Sequence, residues 1–369
     1  MSSPPIVIRC AVALAGDGLR GIHDAAVVVI GEEIAEVGRA SEIGVPDAAV
    51  TVEASALTLL PGFIDAHVHI GFADPHAVLS GGITTVRDLA WPPAQIWPLV
   101  RGSAEPTFDG PQILAAGQML TAKGGYPTRA AWAPAGTGRV VDGPDDARTA
   151  VAEQAESGAS VIKVALNAEV GPTLDEKVLT AVVHAAHERG IKVTGHVFGL
   201  EELRKALRAG VDELAHTLMS PERVPDAVLT EMVESGMSVV PTLSIFFDEA
   251  QAVAIANTRR FVEAGGRVVY GTDLGNAGPQ PGIDAREVDA LERAGMSGID
   301  IVKAATVTAS SWLGLGDRGS ITPGKIADLV AVGGDPLTNA RSLTDVRMVW
   351  RRGRSVSKVR PGGRRRSGP

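Results

Sequence analysis

From about residue 59 the chain alternates apolar runs of strand length with longer amphipathic stretches. The runs are LLPGFIDAHVH (59–69), ITTVRD (83–88), QILAAG (112–117), SVIKVAL (160–166), IKVTGH (191–196), VDELAH (211–216), MSVVPT (237–242) and RVVYGTD (267–273). Most are apolar without interruption, the pattern of parallel strands buried on both faces. Helical spacing fills the intervals, as in DDARTAVAEQAESG (145–158), LDEKVLTAVVHAAHERG (174–190), EELRKALRAG (201–210) and ERVPDAVLTEMVESG (222–236). Each of these four segments ends in glycine, a common helix stop. Between His67 and Asp273 the strand ends recur about every 29 residues, one βα unit each. Eight such units predict an α/β fold, a (β/α)8 TIM barrel over residues 58–317.

Both chain ends read differently. AVVVI (26–30), GEEIAEVG (31–38) and VTVEAS (50–55) are short apolar or alternating runs separated by turn residues. Alternation returns in GSITPGKIADLVAVGGDPL (319–337) and VRMVWRRGR (346–354). The two sets are expected to pair into one discontinuous β domain, residues 1–57 with 318–358.

Composition narrows the classes. Hydrophobic residues make up 45% of the 369 and charged residues 21%, which argues against wholesale disorder. A single cysteine, Cys10, excludes an internal disulfide framework and a cysteine-based zinc knuckle, and is read as packing. No uncharged apolar stretch of about 18 residues occurs, so no membrane partner is expected. MSSPPIVIRC lacks the basic and apolar regions of a signal peptide, which leads us to expect a cytoplasmic protein. Residues 351–369 carry eight basic and no acidic side chains, and removing those eight from the formal −8 leaves −16 on the rest. An acidic body argues against a nucleic-acid partner. The end of the tail, residues 359–369, is expected to be a disordered basic segment.

The chemistry collects at the strand ends. His67 and His69 stand two apart and so share one strand face. His196 ends the fifth run, His216 the sixth and Asp273 the eighth; Lys163 lies within the fourth. In parallel barrels the working groups gather at the C-terminal strand ends. Imidazole and carboxylate together suit zinc and related divalent ions. Lys163 is costly to bury as a lone ammonium. From the residues alone it either reaches out to pair with a carboxylate or, as a neutral amine, adds CO2 to become an anionic ligand.

LLPGFIDAHVH, GGITTVRD, VIKV, TGH, ELAH, GTD and the late GSITPGKIADLVAVGGDPL, in that order, resemble the metal-dependent amidohydrolase superfamily, and within it the imidazolonepropionase-like and Xaa-Pro dipeptidase-like branch. The resemblance runs from about residue 25 to 353. It implies a distorted (β/α)8 barrel with a small β-sandwich built from both termini. It implies two divalent metal ions, zinc by preference: His67, His69 and Asp273 on one, His196 and His216 on the other. A CO2-derived carbamate on Lys163 would bridge them.

The implied activity is hydrolysis of an amide or cyclic amide C–N bond in a small substrate, such as a dipeptide, an N-acyl amino acid or a lactam. A metal-activated water would attack the carbonyl, with Asp273 as general base and then acid. One alternative is a mononuclear imidazolone-ring hydrolase or deaminase. Gly199, where many deaminases of this superfamily carry glutamate three residues after the strand-5 histidine, argues against the deaminase. Another is an inactive scaffold relative. The small-molecule substrate is the expected partner, and self-association as a homo-oligomer stays open.

The chain also departs from its relatives. Many of them read Gly-Gly-His after strand 3, where this sequence has Gly124, Gly125 and Tyr126; ALNAEVGPT (165–173) replaces a glycine-rich loop. Tyr126 either hydrogen-bonds the substrate carbonyl or packs on the rim. Arg129 either holds a substrate carboxylate or is a solvated loop charge. The segment between strands 1 and 2 leaves little room for a lid. Arg87 with Asp88 is read as a structural ion pair, and His76, His184 and His187 are not expected to bind metal.

Overall fold

The computed structural model describes residues 4–219 and 223–357; the basic tail expected at 359–369 lies outside them. The chain opens with β1 (Ile6–Ala15), β2 (Arg20–Ile30), β3 (Glu33–Arg39) and β4 (Val50–Pro61). The AVVVI run is unbroken because both faces of β2 are covered. Val27 and Val29 join a core with Ile8, Cys10, Leu59 and Trp350, while Ala26 and Val28 pack with Val7 under Ile43 and Ala49. Cys10 is buried there, and burial pushes its thiol up to about 12, so it is chemically inert at neutral pH.

Gly62 then leads into the parallel strands β5 (Phe63–Val68), β6 (Ile83–Asp88), β7 (Gln112–Ala115), β8 (Met119–Thr121), β9 (Gly138–Val140), β10 (Ile162–Leu166), β11 (Val193–Val197), β12 (Glu213–Leu214), β13 (Ser238–Val239) and β14 (Arg267–Val268). The chain closes with β15 (Leu329–Gly333), β16 (Val346–Arg351) and β17 (Arg354–Ser355). These last three join β1–β4 in one seven-stranded sheet of order β17-β16-β15-β4-β1-β2-β3. Strands from the two ends therefore share a sheet, joined where β15 runs antiparallel to β4.

The parallel strands form two ladders, β5-β6-β7 and β14-β13-β12-β11-β10-β8-β9. Backbone hydrogen bonds run between them on both sides. Ser160 N donates to Ala115 O at 2.9 Å, and Ala66 N donates to Tyr270 O at 2.9 Å. All eight apolar runs hold a strand, but the regular ladder is shorter than expected in three of them. β12, β13 and β14 have two residues each. Beyond them the chain stays bonded to its neighbours, as in Val240 N to Leu214 O and Val269 N to Val239 O at 2.9 Å each. The third run goes further than expected: it bends at Gly117, whose φ of 78° suits glycine, and continues as β8 beside β10.

Helices cover the parallel strands by the spacing read from the sequence. Helix 176–187 buries Val178, Leu179, Val182, Val183 and Ala186, and leaves His184 and His187 on its outer side, paired with Glu188 and Asp212. Helix 200–209 stops at Gly210 in the left-handed conformation. Among the described residues, no helix is long and apolar enough to cross a membrane.

Candidate metal centre

Strand alternation turns Asp65, His67 and His69 to one side of β5 and its extension, while Ile64 and Ala66 pack in a cluster with Val240 and Val269. Asp65 locks the neighbouring strand end in place. Its carboxylate accepts from His67 N at 3.0 Å, Thr272 N at 3.1 Å and Thr272 Oγ1 at 2.6 Å. Asp273 N then donates to His67 O and His69 N to Leu274 O, both at 2.7 Å. Asp273 itself sits at φ 57°, a left-handed conformation that aspartate tolerates better than most residues. Asp88 fixes the far side, accepting from Ile70 N at 2.8 Å and Ala90 N at 3.1 Å.

The result is a tight group. His67 Nε2 and His69 Nε2 each lie 3.3 Å from Asp273 Oδ1, and one ligand atom from each of the three residues fits within a 4.8 Å span. His196, at the end of β11, places Nδ1 3.0 Å from His216 Nε2. His216 also lies 3.8 Å from Asp273 Oδ2, and its ring centroid is 4.7 Å from that of His67. Lys163, in β10 opposite Thr194 of β11, is fully buried, and its Nζ has no hydrogen-bond partner among the described residues. All six expected residues are thus brought to one buried place.

Electrostatics set their protonation. Burial is the largest influence on all four histidines, and the charge of Lys163 acts in the same direction, so each is held below the ordinary imidazole range and is neutral. Burial also pushes Lys163 down, against the pull of Asp273 and Glu213, and pushes Asp273 up, against the pull of Lys163. Neutral imidazoles are the form in which histidine binds a cation.

The second ring nitrogens are engaged as metal-bound histidines usually have them. His67 Nδ1 is 2.7 Å from Ala215 O, His69 Nδ1 3.2 Å from Ala90 O, and His216 Nδ1 2.9 Å from Thr242 Oγ1. Asp273 Oδ1, facing the two Nε2 atoms, is buried with no hydrogen-bond donor among the described residues. An orphaned carboxylate oxygen and an orphaned lysine amine, converging with four neutral imidazoles, are costly unless a cation and its ligands complete them. The donor set fits divalent metal.

One expectation is corrected. Arg87 does not pair with Asp88, because adjacent residues of a strand point to opposite faces. Its Nη2 is 2.5 Å from Glu213 Oε1 in a buried ion pair, and Trp312 Nε1 donates to Glu213 Oε2 at 2.5 Å. Both partners stand among the charges that act on Lys163.

The centre is covered by a loop that sequence reading did not identify as a cover. Tyr126 stacks on His196, with centroids 4.5 Å apart and 17° between planes. Trp132 Nε1 donates to Tyr126 Oη at 3.1 Å, and the indole lies 5.0 Å from the His69 ring. Phe198 closes the other side against His196 and His216. Tyr126 is therefore packed on a site histidine with its hydroxyl near the centre, and burial keeps its phenol protonated. Arg129 is exposed and lines a cavity of about 240 Å³ with Gly125, Tyr126, Ala130, Trp132 and Val170. Trp132 sits in an aperiodic stretch, AAWAPAG, which gave no signal. Thr242 owes its place to a left-handed backbone (φ 48°) that no motif announces. Asp65 could have been found, since it precedes His67 by two on the same strand face.

Comparison with known proteins agrees with this geometry. Residues 58–356 match the model described as "Amidohydrolase family". An uncharacterized protein of Mycobacterium tuberculosis (strain H37Rv) is 30% identical over 338 residues, 80% of this chain and 85% of its own. The ochratoxinase of Aspergillus niger is 26% identical over 440 residues, 98% and 87% of the two chains. Among solved structures, a Xaa-Pro dipeptidase with bound methionine in its active site superposes with a TM-score of 0.81 at 25% identity, covering 95% of this chain and 99% of that one.

Proposed function

The chain belongs to the amidohydrolase family of metal-dependent hydrolases, and from that premise we propose that it hydrolyses an amide or cyclic amide bond of a small substrate at a two-metal centre. The observation that carries this reading is the convergence of His67, His69, His196, His216 and Asp273 around a buried, unpartnered Lys163. His67, His69 and Asp273 would hold one ion, and His196 and His216 the other. Zinc suits this nitrogen and oxygen donor set.

Lys163 would serve both as a carbamate: the ammonium gives up one proton, the neutral Nζ bonds to the carbon of CO2 and loses a second, so an anion replaces an ammonium in the buried site. This reading is supported by the absence of any other partner for Nζ. Bound divalent ions supply Lewis acidity, which polarises a carbonyl and lowers the pKa of water.

The remaining steps belong to the chain itself. The Asp273 carboxylate would take the proton from the attacking water and return it to the departing nitrogen. Water is thereby added across the C–N bond: hydroxyl to the carbonyl carbon, proton to nitrogen. Tyr126, held protonated, would donate to the carbonyl oxygen as charge develops there. Trp132, Tyr126 and Phe198 exclude bulk water from the histidines.

The hydrogen bonds joining β7 to the β10 segment and β5 to the β14 segment support one distorted eight-stranded barrel over 58–317, beside a β-sandwich domain built from 1–57 and 318–358. The deaminase alternative is weakened by Gly199, which caps helix 200–209 and offers no carboxylate. The scaffold alternative is weakened by the presence of every proposed ligand.

The test is a panel of N-acyl amino acids, dipeptides and lactams, incubated with metal-loaded and with chelator-stripped protein. Turnover of at least one C–N substrate by the loaded protein alone is expected. Equal, background hydrolysis in both would sink the proposal.

A further inference from the structure

Toward the start of the same parallel strands lies a buried ion pair that the hydrolytic steps do not use. Register places Lys163 of β10 beside Thr194 of β11, and Thr194 beside Glu213 of β12. Residues in register on neighbouring parallel strands share a face, so Lys163 and Glu213 lie on one level, two strand spacings or about 10 Å apart at the backbone. Leu214, the next residue of β12, faces the other way, toward Leu229 and Phe261 of the helix layer. A lysine and a glutamate are long enough to close such a gap.

Glu213 nevertheless pairs elsewhere. Arg87 Nη2 holds its Oε1 at 2.5 Å, and Trp312 Nε1 donates to its Oε2 at 2.5 Å. Arg87 is anchored in turn, donating from Nε to Ala66 O at 2.8 Å. The Trp312 ring carries two cations, with Lys192 Nζ 4.8 Å and Arg267 Cζ 4.9 Å from its centre. Lys163 Nζ and Thr194 Oγ1, on the same level as Glu213, are left without hydrogen-bond partners among the described residues.

Arg87 and Glu213 are 2% and 1% exposed. A buried ion pair stabilises a fold little better than apolar side chains of the same volume, but breaking it strands a charge. The charge stranded by loss of Arg87 would be the Glu213 carboxylate, beside Lys163. Burial is the largest influence on that lysine; Asp273 and Glu213 attract its ammonium, and Arg87 repels it. An amine committed to an ion pair with Glu213 has no lone pair to offer CO2.

We propose that Arg87 is a positioning residue of the metal centre: with Trp312 it holds the Glu213 carboxylate away from Lys163, and so reserves the lysine for the carbamate. The proposal rests on the carbamate reading above. In the step so reserved, the Lys163 ammonium and CO2 give the carbamate anion and two protons, both released to solvent, with no change of oxidation state. Arg87 itself touches neither substrate nor metal.

The test follows the carbamate and not turnover. Chelator-stripped protein is reconstituted with zinc and isotopically labelled bicarbonate; the carbamate carbon is read by carbon NMR and bound metal by elemental analysis. The wild type, Arg87→Met, Glu213→Gln and the double variant are compared, with circular dichroism to verify the fold. The wild type should show the carbamate resonance. In Arg87→Met the bicarbonate needed for half-maximal signal should rise by about 10–100-fold, the worth of a hydrogen bond to a charged group, and bound metal should fall with it. Adding Glu213→Gln to Arg87→Met removes the competing charge without rebuilding an ion pair, and should recover most of the signal and the metal. Equal losses in Arg87→Met and in the double variant would make the pair a brace of the fold and overturn the proposal, as would an unchanged bicarbonate requirement in Arg87→Met. Glu213→Gln alone carries the test where Arg87→Met does not fold: it should need less bicarbonate than the wild type, and an equal or greater need would overturn the proposal. A wild type with no resonance would overturn the carbamate, and the proposal with it, whether or not a C–N substrate is hydrolysed.

Discussion

Lys163→Ala is expected to lose metal and turnover together. The lysine is fully buried, its amine has no partner, and Asp273, Glu213 and Arg87 are the charges that act on it. A simple structural lysine at that place would gain nothing from metal, and its removal would relieve a buried charge. A bridging carbamate would leave two cations without their shared anion, and like charges held in low dielectric repel strongly. The variant should therefore purify with fewer than one tightly bound ion per chain and with activity at the level of stripped wild type. Short carboxylic acids, which supply an anion of carbamate shape to the space vacated, should restore part of both. Elemental analysis and turnover on the same samples, with circular dichroism to verify the fold, make the comparison. Two ions per chain and full activity in the variant would contradict the carbamate.

Asp273→Asn should behave differently. Asparagine keeps the size and one oxygen, and it tolerates the left-handed backbone at this position. It cannot accept a proton from water at neutral pH. Turnover should fall by about 10²–10⁴, the usual range for loss of a general acid–base group. The ion held by His196 and His216 should stay, so most of the metal is retained while most of the rate is lost. That split between metal content and rate is the signature of a proton shuttle, as opposed to a simple ligand. Turnover near that of wild type, measured on the same substrate, would remove Asp273 from the mechanism.

What could be read from the sequence follows from what each feature depends on. Eight of the ten parallel strands were visible because burial on both faces demands unbroken apolar runs, and the helices because a covered face repeats every three to four residues. The six proposed site residues were legible because chemistry is expected at the ends of parallel strands, where a histidine or aspartate stands out against apolar neighbours. Features that depend on tertiary contacts were not visible. Arg87 found Glu213, 126 residues away in sequence, across the parallel strands. Trp132 covers His69 from a loop with no periodic pattern, and Thr242 meets His216 only because of an unusual backbone angle. The third run, 112–117, continues past its expected end because the chain bends at Gly117 and lets β8 reach β10.

If the six buried residues hold the metal on which hydrolysis depends, metal content and rate must move together. The decisive measurement is the number of metal ions per chain, followed with turnover as a chelator strips the wild-type protein and metal is added back with bicarbonate. Activity should disappear as bound metal approaches zero and return as it approaches two per chain. Undiminished turnover by protein with no bound metal would contradict it.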